Sequence, residues 1–366
     1  MNCNTSYLEV SCELPYCRRC GTKLEEDARF CYKCGTPVAT FTPAPSARPI
    51  RKDPLIVTAI ILIAIVVTAV VVSAVVFAPL HPVSFNQTNQ VNQPNINTLN
   101  LNFQADVAEV NVIAQNLTGR TILIGTSATG SIGVFDSTNP IQVTFSNETA
   151  GNTLTVTSKV TYTNHGLFSR ALRVTCTIYI SPSVRLNLNI TTETGQITLT
   201  AAEPATFESL TLKSSTGMVQ ANIENGTVIA GDISLKTTTG AVSFRMNQAN
   251  VQGNDTFNLQ TTTGTVDTDI TENKTLSGNV QVNAATTTGA VNLAMNIDNG
   301  VGARIESQTQ IGQITTNLNN FSGDKSPIES NNYPAESNFL ITLKTSVGEI
   351  NINAAYQSSS TPNIRN

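Results

Sequence analysis

The sequence predicts a mainly β chain: a parallel β-solenoid (β-helix-like) preceded by one apolar helix and a small head built on four cysteines. Three observations point there. The phrase "KTTTGAVSF" at Lys236 returns as "QTTTGTVDT" at Gln260 and "ATTTGAVNL" at Ala285. Four of the seven cysteines form two CxxCG pairs between Cys17 and Cys34. An uncharged run from Leu55 to Ala78 separates those pairs from the repeats.

Composition narrows the choices. Of 366 residues only 13% are charged, there is no Trp, and the net charge is −4. That balance is too weakly acidic to suggest nucleic acid as the main partner, and none is expected. Residues 1–54 carry eight Lys/Arg against six Asp/Glu, whereas residues 79–366 carry thirteen against nineteen. Cys176 is alone in that long remainder, so no intrachain disulfide forms there and burial must hold it together.

From the N-terminus, residues 1–15 read as a disordered leader with two free thiols, Cys3 and Cys12. In residues 16–38, Cys17-x2-Cys20 and Cys31-x2-Cys34 are each followed by a glycine. Each CxxCG is a tight turn that aims two sulfurs and nearby N–H groups at one point. Two of them complete a closed tetrahedral four-thiolate site, the arrangement of structural Zn²⁺, with iron as the lesser alternative. Arg18, Arg19 and Lys33 offset the excess negative charge, and Tyr16, Phe30 and Tyr32 are expected to form a miniature core. Residues 39–54 are a Pro-rich linker.

Residues 55–78 read as a transmembrane helix, about 36 Å long at 1.5 Å per residue against a hydrocarbon core of about 30 Å. Arg48, Arg51 and Lys52 precede it and no Lys or Arg follows closely, so the expected topology is single-pass, N-terminus cytoplasmic and C-terminal domain extracellular. Eight Asn-x-Ser/Thr sequons on the far side agree with that orientation.

Residues 79–100 read as an Asn/Gln-rich stalk, and 101–186 as an irregular β region capping the repeats. The repeats, 187–355, align on Gly195, Gly217, Gly240, Gly264, Gly289, Gly312 and Gly348. Apolar residues alternate on both sides of each glycine, as in Ile233/Leu235 before Gly240 and Val242/Phe244 after it. Each repeat therefore supplies two half-buried strands. The parity flips between them, so the chain must turn at the glycine. A period of 20–25 residues with this pattern is the signature of stacked coils. The longest step holds an insertion, Asn319 to Ser337, expected to protrude, and residues 356–366 read as a disordered tail.

Residues 16–38 resemble the short zinc ribbons at the N-termini of many prokaryotic, above all archaeal, membrane proteins. That resemblance implies a small docking or stabilising module with a possible cytoplasmic protein partner. Residues 99–355 resemble the putative-adhesin family of repeated β-strand ectodomains, with Thr or Asn where many relatives carry Asp after the Gly-x-Val core. That resemblance implies a cell-surface, adhesion-like role facing an extracellular protein or glycan. A transmembrane sensor signalling through the ribbon is the alternative. A carbohydrate-active enzyme fits less well: Asp267, Asp269 and Glu272 have no acidic counterpart on neighbouring repeats, and His81 and His165 are the only histidines. No catalytic centre is expected.

Overall fold

The computed structural model describes residues 16–25, 28–37, 54–76, 81–132, 139–163, 172–201, 203–273, 276–298 and 300–357. The leader with Cys3 and Cys12, most of the linker, His165 and the tail from 358 lie outside the described residues. The chain forms two compact units, Met1–Ala74 and Val75–Asn366.

The first unit ends in a helix, Pro54–Val76, whose Thr58, Thr68 and Ser73 hydroxyls donate to carbonyls one turn back. The membrane reading does not survive here. Among the described residues no helix is long and apolar enough to cross a membrane. The expected single-pass location, with a cytoplasmic N-terminus and an extracellular C-terminal domain, is corrected accordingly.

The second unit is built of an 11-stranded and a 14-stranded sheet enclosing one hydrophobic core. Each glycine-cornered repeat gives its strand before the glycine to the larger sheet and its strand after it to the smaller. In the Gly240 coil these are Ile233–Thr239 and Val242–Asn247. Coils stack in parallel with identical phase: Leu210, Ile233, Phe257, Val282 and Ile341 fall in one inward column. Val219, Val242, Val266, Val291 and Ile350 form another. All are fully buried or nearly so. The Phe244 and Phe257 rings meet between the sheets at 5.5 Å, tilted by 58°.

The corner explains the repeated phrase. All seven corner glycines take φ between +137° and +149°, a region closed to side chains. A serine or threonine stands three residues before each one. In six coils its hydroxyl donates to the carbonyl of the neighbouring coil's corner glycine, as in Thr237 to Gly217 at 2.9 Å and Thr261 to Gly240 at 3.0 Å, and all but Thr309 of these residues are buried. The first Thr of Thr-Thr-Thr-Gly is thus an inward bolt, and the next two are exposed.

The stacking order departs from chain order once. The Gly348 coil lies directly on the Gly289 coil, and the Gly312 coil lies outside it at the end. Apolar content explains the exchange. The Gly348 coil brings Phe339, Ile341, Leu343, Ile350 and Ile352 inward, whereas the Gly312 coil has Ser307 and Thr316 at matching positions. The more polar coil belongs where one side faces water. The insertion is no free loop either: Phe321–Ser322 and Ile328–Ser330 pair antiparallel, and the latter joins Gly302–Ile311, with Ile328 fully buried.

The other end also differs from expectation. The supposed stalk contains a strand, His81–Val91, paired antiparallel along its length with Ile122–Ile132; Val83 and Phe85 pack on the core. The region read as irregular holds two more parallel coils. Thr98–Val107 and Glu109–Ala114 stack directly on the Gly195 coil around a corner at Ala108. Thr153–Tyr162 and Arg173–Ile180 stack beyond them. Antiparallel strands Ile141–Ala150 and Ile122–Ile132 then cover this end, the capping role expected of it. Cys176 is fully buried, and burial pushes its thiol up to about 11, so it packs as a small hydrophobe.

One inward residue breaks the apolar column. Thr268 sits between Phe244 and Leu293, is buried, and its hydroxyl has no hydrogen-bond partner. Thr268→Val keeps the shape and removes the unsatisfied group, so stability is expected to rise by about 1 kcal/mol. Urea denaturation measures it, and a midpoint that stays or falls would refute the reading.

Candidate functional site: a four-thiolate centre and a polar groove

The two CxxCG turns are built alike. Cys17 N–H donates to the Thr22 carbonyl at 2.8 Å and Cys31 N–H to the Thr36 carbonyl at 2.9 Å. Gly21 and Gly35 N–H groups close the turns onto Cys17 and Cys31 carbonyls at 2.9 and 2.8 Å. Both glycines have φ of 68°. Isolated bridges, Tyr16 to Lys23 and Phe30 to Pro37, hold the ends of each turn together.

This geometry brings all four expected sulfurs to one place. The Sγ atoms of Cys17, Cys20, Cys31 and Cys34 all lie within 4.8 Å of one another. Cys17 and Cys34 are 3.4 Å apart and Cys20 and Cys31 3.6 Å. A tetrahedral ion with metal–sulfur bonds of about 2.3 Å requires sulfur–sulfur edges of about 3.8 Å, so the donor set fits. Two residues escaped the sequence reading. Thr22 and Thr36 bring their hydroxyls to 3.3 Å from Cys20 Sγ and 3.2 Å from Cys34 Sγ. The signal was present, since both pairs read CxxCGT. Hydrogen bonding from Thr36 holds the Cys34 thiol down at about 6, and that from Thr22 lowers Cys20, while burial pushes Cys31 up to about 11. The expected aromatic core is absent: Tyr16, Phe30 and Tyr32 are exposed, and the packed apolar residue is Leu24, beside Ala28.

The second site lies on the outer face of the 11-stranded sheet, a groove of about 490 Å³ across the Gly240, Gly264, Gly289, Gly348 and Gly312 coils. One row of outward side chains is linked by hydrogen bonds: Asn292 donates to Asp267 at 2.6 Å and Asn351 to Asn292 at 2.9 Å. The parallel row breaks in the middle. Arg245 pairs with Asp269 at 3.2 Å on one side and Asn317 donates to Asn353 at 3.1 Å on the other. Ala294 stands between them in register, and its short side chain leaves the trough. Asp267 and Asp269 therefore share a face, as alternation required. Glu272 does not join them: it lies on the opposite parity of the same strand and is fully buried. His81 begins the strand at the far, capped end of the unit.

No curated protein matches the chain. Among solved structures it is similar to a putative cell adhesion protein from Clostridium sporogenes, at 15% identity and a TM-score of 0.34, covering 75% of this chain and 100% of that one. A putative adhesin from Bacteroides fragilis shows 13% identity and a TM-score of 0.28 over 74% and 97% of the two chains. One from Parabacteroides merdae shows 10% and 0.27 over 74% and 95%. Residues 16–38, the segment whose two turns gather the sulfurs, match the model of the zinc-ribbon domain.

Proposed function

We propose that the chain is an adhesin-like binding protein rather than an enzyme: a β-solenoid presents one ladder-like face to a protein or glycan. The observation that carries this is the groove around Ala294. Its rim holds two carboxylates, a guanidinium and several primary amides, a set that matches the mixed donors and acceptors of a sugar ring. These groups are already engaged with one another across coils, which holds them in fixed positions. Asp267 accepts from Asn292 and Asp269 from Arg245, which suits orienting a ligand better than proton transfer.

The head is proposed as a structural Zn²⁺ module, held by Cys17, Cys20, Cys31 and Cys34. The ion would supply the core that Leu24 alone cannot, and leaves no position open for substrate. The exposed Tyr16, Phe30 and Tyr32 surround that module with surface suited to a protein partner.

Ala294→Trp tests the binding reading. The indole fills the trough without touching the core, because Ala294 faces outward. In titrations of the full chain against neutral and acidic oligosaccharides, the variant is expected to bind at least about tenfold more weakly. Binding unchanged in Ala294→Trp, no binding to any oligosaccharide, or release of new reducing ends would overturn the glycan-binding role.

A further inference from the structure

Every coil hands its hydrogen bonds to the next. The N–H of each corner glycine donates to the following coil: Gly240 to Thr263, Gly264 to Thr288, Gly289 to Val347, Gly348 to Ile311, at 2.8 to 2.9 Å. The residue two further on does the same: Val242 to Thr265, Val266 to Ala290, Val291 to Glu349, Ile350 to Gln313. The series stops at Gly312 and Ile314. Ile314–Asn319 is the last strand of the 11-stranded sheet, and among the described residues nothing pairs with its outer edge.

The core is open at the same place. Inward residues of inner coils are almost completely buried, but Ile314, Thr316 and Leu318 are only half-buried. At the adjoining corner Ile311 is 67% exposed and Val347 45%. The other sheet is covered here by Ile328–Ser330 and by Lys325 and Ser326, which bond to Ser307. The insertion also reaches the inner face, where the Thr316 hydroxyl donates to the Asp324 carbonyl at 3.3 Å, but among the described residues no strand pairs with the outer backbone edge of Ile314–Asn319. Natural sheets protect such edges with charge, proline or a bulge. From Gly312 to Asn319 the sequence, Gly-Gln-Ile-Thr-Thr-Asn-Leu-Asn, has no charge and no proline.

We propose that this edge is a self-association surface, and that its occupant is the same strand of a second copy, antiparallel about a two-fold axis through Thr316. Register decides the geometry. Ile350 N–H bonds to the Gln313 carbonyl, so in a parallel ladder the N–H groups of Ile314, Thr316 and Leu318 point to the free edge. Antiparallel pairing about Thr316 sets Ile314 against Leu318 of the second copy and Thr316 against Thr316. Each pair then exchanges two N–H···O bonds. The same register keeps both apolar faces on one side, closing each open core with the other, and sets Thr315 against Asn317 outside. No like charges meet, so the segment is complementary to itself. A charged peptide gains no salt bridge from this edge and has no such match. The edge borders the groove around Ala294 and shares Thr315 and Asn317 with it, but its test reads the backbone amides of Ile314, Thr316 and Leu318, so each reading can fail without the other.

Thr316→Pro removes one edge-facing N–H and the hydroxyl bond to the Asp324 carbonyl but no bond to the inner neighbour, and proline is tolerated on edge strands; Thr316→Val, which loses the hydroxyl alone, is the control. Hydrogen exchange of the full chain is expected to show amides of Ile314, Thr316 and Leu318 gaining protection as concentration rises. Light scattering should show dimer over the same range. In Thr316→Pro the dissociation constant should rise at least about tenfold with the circular dichroism spectrum unchanged. Edge amides that exchange freely at every concentration would overturn the proposal, as would a dimer that persists in Thr316→Pro. So would amides protected at every concentration in a monomer, the result expected if the chain's own residues 358–366 cover the edge.

Discussion

Gly264→Ala is expected to cost about 4 kcal/mol or more and to disorder the coils on both sides of it. Gly264 has φ of +141°, and a Cβ there would stand 1.9 Å from the Gly240 carbonyl oxygen. That oxygen belongs to backbone, so no side chain can swing aside. Moving it breaks the Thr261 hydroxyl bond it accepts, at 3.0 Å, and shifts the Gly240 N–H from Thr263. Each bond lost leaves a buried polar group at about 1 kcal/mol or more, and backbone strain adds about 1–3 kcal/mol. Gly125→Ala is the control: Gly125 lacks the positive φ, and its nearest neighbour would be 3.9 Å from the new Cβ. Urea denaturation should separate the two variants clearly. A Gly264→Ala midpoint matching that of Gly125→Ala would mean the stack yields at the corner, and that the glycine register reflects something other than close approach.

The same contact explains which parts of the fold were legible in sequence. A glycine whose Cβ would collide with the next coil has to recur at every coil, so the corner positions and both flanking strands could be read from periodicity. The hydroxyl three residues earlier recurs for a related reason, because each corner carbonyl needs a donor. Order along the stack was not legible from spacing. It depends on the relative apolarity of the Gly312 and Gly348 coils, visible in Ser307 and Thr316 only once the register places them beside Leu343 and Ile352. The coil turning at Ala108 was missed because Ala108 does not take positive φ and so needs no glycine. The strand His81–Val91 was hidden by a sequence in which Asn and Gln outnumber apolar residues and backbone pairing supplies the order. The sulfur cluster was fully legible, since turn geometry fixes spacing. The groove was half legible: alternation placed Asp267 and Asp269 together, but Ala294, the residue that makes the trough, is informative only by being small.

Removing one sulfur should have the largest effect on the head. Cys31→Ser is expected to lose the bound Zn²⁺ and, with it, the fold of residues 16–37. The magnitudes leave little choice. Burying Leu24 supplies about 2 kcal/mol, whereas zinc binding in small metal-held domains supplies about 10–16 kcal/mol. Cys31 is also the most deeply buried of the four, so a serine there leaves a hydroxyl where the site needs a thiolate. The metal content of the purified full chain, by elemental analysis, should be about one zinc per chain and fall to near zero in Cys31→Ser. Cys176→Ala should leave it intact, because Cys176 is enclosed in the β core. Exposure to a chelator should act on the wild type as Cys31→Ser does: residues 16–37 lose their dispersed amide resonances while those of the β strands persist. Iron in the same purified protein would show visible thiolate absorption and would assign the site to iron. Full zinc content in Cys31→Ser would mean that the sulfurs converge for a reason other than an ion, leaving the 3.4 and 3.6 Å contacts to be explained as thiol packing. Packing is the weaker account, because nothing in it requires Thr22 and Thr36 to aim hydroxyls at Cys20 and Cys34, and a metal-bound thiolate does.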